Sequence, residues 1–155
     1  MHLLGAVLLV QPVASQPAPS ASEPASVLAA VMHHRLYWME DRTPFDACSL
    51  QAHAGSAAAF PGDLPADLQA LVLDVAPAAS GGCSDRAAVA RALPPRVVRV
   101  ESVTFTDSVA QVRLLVQKGD HAHREDHSVR RTPLGAWDVA EMRMWGHLYT
   151  HPSRP

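Results

Sequence analysis

The stretch from Arg96 to Tyr149 constrains this chain most. From Arg96 onward the pattern switches from a helical period to a period of two, in four consecutive runs: "RVVRVESVTFT", "VAQVRLLVQK", "HAHREDHSVRR" and "AWDVAEMRMWGHLY". A period of two marks strands with one buried face, and short polar breaks between such runs mark hairpins. Asp107-Ser108, Gly119-Asp120 and "TPLG" supply those breaks. The four runs therefore predict an antiparallel meander with Ala136–Tyr149 as its last strand. Helical periods precede the strands, and helices first with sheet last is an α+β order.

Upstream, Val27, Leu28, Val31 and Met32 give an apolar face to a helix over Ser26–Met39, with Ser26 as its cap. "TPFDACSLQAHA" reads either as a short strand or as an extended loop. In "GDLPADLQALVLDVA", Leu64, Leu68, Leu71, Val72 and Val75 follow the spacing of one buried helical face. Asp63 is placed to cap that helix and Pro65 suits its first turn. "SDRAAVARAL" predicts a further short helix, stopped by Pro94-Pro95. The expected fold is thus α+β, with N-terminal helices packed on a four-stranded antiparallel sheet.

The segment 1–15 reads as a signal peptide. "LLGAVLLV" (Leu3–Val10) is an apolar run too short to cross a bilayer, and "VAS" (Val13–Ser15) offers small residues for cleavage. Only His2 stands where a basic n-region belongs. A Pro/Ala/Ser-rich linker occupies 16–25, a single domain 26–151, and a tail 152–155. This organisation predicts an exported chain, periplasmic or extracellular, with no transmembrane segment. Cys48 and Cys83 are the only cysteines, and an even count in an exported chain predicts a disulfide. A net charge of −2 with scattered signs argues against nucleic acid as a partner. Of 13 basic residues only Lys118 is lysine, and Asn and Ile are absent, a bias that follows from a GC-rich genome rather than from function.

The order of elements, together with "G-x-W-x-V" (Gly135–Val139) opening the last strand, resembles the nuclear-transport-factor-like (ketosteroid-isomerase-like) cone. The resemblance covers Arg96–Trp145 and implies helices closing one face of a curved sheet around a pocket. It carries over no catalytic residues. A cystatin-like roll fits the same pattern.

"GDHAHREDH" (Gly119–His127) holds three histidines and three acids in nine residues. A two-residue loop at Gly119-Asp120 pairs Lys118 with His121, Val116 with His123, Leu114 with Glu125 and Val112 with His127. Directly opposed residues share a sheet face, so the histidines and Glu125 face inward with the valines and leucine. The last hairpin leaves two registers open. A four-residue loop puts Met142 and Met144 beside Glu125 and His123. A five-residue loop brings Arg143 and Trp145 there, with Val139 against Val129.

Two functional readings follow. The first is a non-catalytic domain binding a small molecule or protein through the helix-covered face, with His121, His123, Glu125, His127, Arg143 and Trp145 as binding residues and no cofactor. The alternative is a metal-dependent or acid–base enzyme using the same histidine cluster. His121 and His123, alternate on a strand, suit two imidazole ligands of zinc. His127 lies about 13 Å beyond His123 along an extended strand, so a third ligand must come from His33, His34, His53 or His147. "HAHREDH" is one residue too long for the H-x-H-x-D-H of metallo-β-lactamase-like hydrolases, which weighs against that version.

Overall fold

The computed structural model describes residues 23–55, 60–73, 83 and 95–149. The predicted signal peptide, the tail and the helix expected over "SDRAAVARAL" lie outside the described residues. The elements run α1 (Glu23–Tyr37), β1 (Phe45–Asp46), α2 (Ala47–His53), α3 (Ala66–Gln69), β2 (Val72–Leu73), β3 (Arg96–Thr106), β4 (Val109–Lys118), β5 (His121–Arg131) and β6 (Trp137–Tyr149). The class is α+β, as expected.

The sheet, however, has six strands in the order β2-β1-β3-β4-β5-β6, not four. The meander β3 to β6 is antiparallel, and β1 adds parallel to both β3 and β2, making the sheet mixed. Both extra strands come from segments upstream of the meander. "TPFDACSLQAHA" contains both β1 and a helix, with the Asp46 carboxylate accepting from the Cys48 amide at 3.1 Å as the cap of α2. The long helix expected over "GDLPADLQALVLDVA" is a correction: α3 keeps only Ala66–Gln69, and Val72–Leu73 pair with Phe45–Asp46. Leu64, Leu68 and Leu71 are all buried, as helical spacing requires, but the open edge of β1 recruits Val72 and Leu73 into the sheet. α1 also begins at Glu23, inside the stretch assigned to the linker. Pro24 is tolerated in its first turn, and Ser26 sits within the helix rather than capping it.

The core lies between α1 and the inner face of the sheet. Val27, Leu28, Val31, Met32 and Leu36 pack on Val98, Val100, Val112, Leu114, Val116 and Val129. α1 runs across β5 and β6, with Glu23 in an ion pair with Arg131 at one end and Asp41 beside Lys118 at the other. Cys48 and Cys83 form a disulfide with Cα atoms 5.2 Å apart, tying α2 to a residue 35 positions later.

The Gly119-Asp120 turn has the expected pairings, from Lys118↔His121 to Val112↔His127. Gly119 has φ +64°, a left-handed conformation in which glycine meets no steric penalty. The last hairpin combines parts of both expected registers. Arg131 pairs with Trp137 across a five-residue loop and Val129 faces Val139, but a bulge at Ala140 then places Met142 opposite His127 and Met144 opposite Glu125. One extra residue on β6 flips the side chains from Glu141 to Trp145 relative to a plain five-residue loop, and the register shifts again between Trp145 and Leu148. Arg143 and Trp145 consequently lie on the outer face, opposite Asp126 and Arg124.

Candidate functional site

Every second residue of β5 from His123 to His127 enters the interface with α1, where apolar side chains would be expected. Glu125 is 1% exposed and His127 is fully buried. A carboxylate stripped of water needs hydrogen bonds and a countercharge. Arg35, fully buried on the apolar stripe of α1, supplies the charge and donates from Nη1 to Glu125 Oε2. His127 Nε2 lies 3.0 Å from the same oxygen, and His123 Nε2 lies 2.9 Å from Oε1. An ionised carboxylate only accepts, so both imidazoles donate through Nε2.

The network continues past the end of α1. Glu40 adopts φ 52°, and this left-handed turn folds the chain back so that the Asp41 amide donates to the Arg35 carbonyl at 2.9 Å. The Asp41 carboxylate thereby reaches Arg35 Nη2 at 2.7 Å and Lys118 Nζ at 2.8 Å. Its other oxygen accepts from the Thr43 amide at 2.9 Å and from the Thr43 hydroxyl at 2.6 Å. Lys118, Asp41, Arg35 and Glu125 form a chain of alternating charge from the sheet's rim to its interior.

Burial pushes the Glu125 pKa up, but the hydrogen bond from His127, the charge and hydrogen bond of Arg35 and the hydrogen bond from His123 outweigh it. The carboxyl is held at about 2. Asp41 behaves alike: burial raises it, while Lys118, Thr43 and Arg35 together hold it well below the usual carboxylate range. His34 stacks edge-on against His127, with ring centroids 6.0 Å apart. Burial lowers its pKa, as do the charges of His127 and Arg35, against opposition from Asp138 and Glu125.

Among the described residues, Arg35 Nε and His127 Nδ1 are buried without a hydrogen-bond partner. With Nε2 donating to Glu125, His127 Nδ1 is left unpaired in a dry setting. His123 differs in being 20% exposed, so the same carboxylate orients an imidazole that reaches solvent. Chemically, this is a fixed ion network with one accessible ring at its edge.

The structure thus gathers three of the six residues expected to bind: His123, Glu125 and His127. His121 shares their face but is exposed at the start of β5. Arg143 and Trp145 are corrected to the outer face, and the inward Glu125–Arg143 pair is replaced by Glu125–Arg35. No group of three or more His, Cys, Asp or Glu residues with metal-holding geometry occurs among the described residues. Of the candidate third ligands, His33 stacks on Tyr37 at 4.6 Å, His34 faces His127 and His53 ends α2. The side chain of His147 lies outside the described set. Arg35 is the residue that the sequence pattern did not single out. Its signal was a charged side chain four positions after Val31 and seven after Leu28, on the buried stripe of the helix.

Beside the outer end of this network, on the helix-covered side of the sheet's edge, lies an open cleft of about 890 Å³. Its lining includes Asp41, Thr43 and Lys118, the apolar Leu73 and Pro44, and Glu40, Arg42 and Arg96. Arg42 and Arg96 are exposed and have no carboxylate partner among the described residues.

Fold and site together define a small disulfide-linked α+β domain with a polar network clamped between helix and sheet. Searches of family models, curated proteins and solved structures find no match to this chain.

Proposed function

We propose that the protein is an exported, non-catalytic domain that binds a small anionic molecule in the cleft at the end of α1. The observation that carries this reading is the cleft itself. Its volume falls within the roughly 300–1,000 Å³ typical of small-molecule sites, and it pairs apolar walls with a few convergent polar groups. Arg42 and Arg96, with no carboxylate partner among the described residues, offer two guanidinium groups suited to bidentate recognition of carboxylate or phosphate, in a lining whose acids are Glu40 and the already paired Asp41. Lys118 adds a third cation, already oriented by Asp41. Behind it Glu125 and Asp41 stay ionised across the neutral range, so neither serves as a proton donor there.

Export is supported by the disulfide, which persists in oxidising compartments, and is compatible with the lack of any helix long and apolar enough to cross a membrane among the described residues. The cone-like resemblance of Arg96–Trp145 belongs to the same proposal.

Calorimetric titration of phosphate, citrate and succinate at low salt tests the reading. At least one should bind, and the Arg42→Ala/Arg96→Ala variant should weaken it by about tenfold or more. Absence of binding for all three, or affinity unchanged in the variant, sinks it.

A second reading, an acid–base enzyme, rests on the contact between half-open His123 and Glu125, the arrangement of a carboxylate orienting a general base. It requires that a bound ligand be transformed, with turnover lost in His123→Gln. Recovery of the ligand unchanged after prolonged incubation with the native protein removes it.

A further inference from the structure

The outer face of β4, β5 and β6 carries a second cavity, remote in chemistry from the first. It measures about 230 Å³ and is walled by Gln111, Asp126, Ser128, Glu141, Arg143 and Trp145. That is smaller than the roughly 300 Å³ at which drug-sized ligands begin to fit, so one ring is its natural occupant.

Its walls are held in place. Trp145 is 54% exposed, yet its indole Nε1–H donates to Asp126 Oδ2 at 2.8 Å, which stops the ring from rotating freely. Asp126 is itself gripped by Arg113 through bonds of 2.7 and 3.2 Å. Around the indole, Gln111 Nε2 donates to Ser128 Oγ at 3.2 Å and Arg143 Nε donates to Glu141 Oε1 at 2.8 Å. These contacts leave the Gln111 carbonyl, the second Glu141 oxygen and the terminal amino groups of Arg143 to meet a ligand.

An exposed aromatic plane beside alternating donors and acceptors matches one class of small molecule. A pyranose presents a face of C–H groups, which suits the negative face of an indole, and a rim of hydroxyls that both donate and accept. The charges around the cavity argue in the same direction. Asp126 and Glu141 are offset by Arg113 and Arg143, so no excess of either sign selects an ion. With every wall but Trp145 polar, a wholly apolar guest is also disfavoured.

We propose that this face binds a single ring of a neutral sugar, with Trp145 as the stacking platform and Glu141 and Arg143 as the groups that read its hydroxyls. The bulge at Ala140 is what creates the site, since without it Arg143 and Trp145 would lie on the helix-covered face of the sheet. The site is independent of the cleft at the end of α1 and stands or falls separately.

The test titrates uniformly ¹⁵N-labelled protein with glucose, galactose, mannose and N-acetylglucosamine, and with their trisaccharides. The readout is the indole N–H resonances of Trp145, Trp38 and Trp137, assigned with single Trp→Phe variants. A saturable shift of the Trp145 indole alone is expected for at least one sugar. Its affinity should fall about tenfold or more in Trp145→Ala and measurably in Glu141→Gln, both at exposed positions, with unchanged melting temperature. Silence of the Trp145 indole towards every sugar overturns the proposal. So does a shift shared by all three indoles, or an affinity that survives Trp145→Ala.

Discussion

Glu125 and Asp126 are neighbours on β5, and each holds an arginine. Alternation on the strand sends one inward, to a fully buried Arg35 on α1, and the other outward, to an Arg113 that is 53% exposed on β4. The pairs share their chemistry but differ in solvent. Inside, the carboxylate cannot fall back on water, so three donors gather on it, and its loss leaves Arg35 with Asp41 as its one remaining carboxylate among the described residues. Outside, water competes for both partners, and the pair serves mainly to orient Trp145. Burial rather than the identity of the groups decides which ion pair the fold depends on.

Breaking the inner pair gives the largest expected effect. Glu125→Gln should cost about 3 kcal/mol in urea unfolding, because the buried Arg35 keeps only Asp41 as countercharge and His123 and His127 lose their charged acceptor. A loss below about 1 kcal/mol would mean that Arg35 escapes to water and that the contrast between faces is false.

Acid should break the same pair without mutation. The Glu125 carboxyl, ordinarily near 4.5, is held at about 2, and Asp41 is depressed as well. The native state therefore binds fewer protons than the unfolded chain over that interval. Stability is complete above the ordinary carboxylate range and is lost as pH falls from about 4.5 towards 2. A series of urea melts from near-neutral pH down into this interval should show the fall, reduced in Glu125→Gln and retained in Asp126→Asn. An equal fall in native protein and Glu125→Gln would assign the acid sensitivity elsewhere.

The smallest effect is expected outside. Arg113→Ala should leave the urea midpoint within error, because solvent and salt screen exposed pairs. Its expected signature is local: a moved Trp145 indole resonance, since Asp126 loses its clamp. A midpoint shift as large as that of Glu125→Gln would erase the distinction between the faces.

Much of this is legible in the chain because it is local. The bounds of β3, β4 and β5 coincide with the alternating runs, and a two-residue turn at Gly119-Asp120 dictates which side chains of β5 face inward. Strand period and turn length alone are therefore enough to place His123, Glu125 and His127 together. They are not enough for the end of β6. Its register depends on the extra residue at Ala140 and on a second shift between Trp145 and Leu148, and alternation in "WDVAEMRMW" looks the same with or without the first. The short β2 is hidden for another reason: Leu64, Leu68 and Leu71 are compatible with a helix, and only the presence of β1 beside Val72 and Leu73 draws that pair into a strand.

By itself, then, the sequence determined the α+β order, the strands of the meander and the inward face of β5, because period and turn chemistry act over a few residues. Only the tertiary structure decided what Glu125 meets there. Arg35 lies 90 positions away, and nothing in its neighbourhood on α1 specifies the partner. The choice is made when helix and sheet close over each other and water is excluded. At that point a buried carboxylate and a buried guanidinium must find one another, because neither is stable alone in a dry interface.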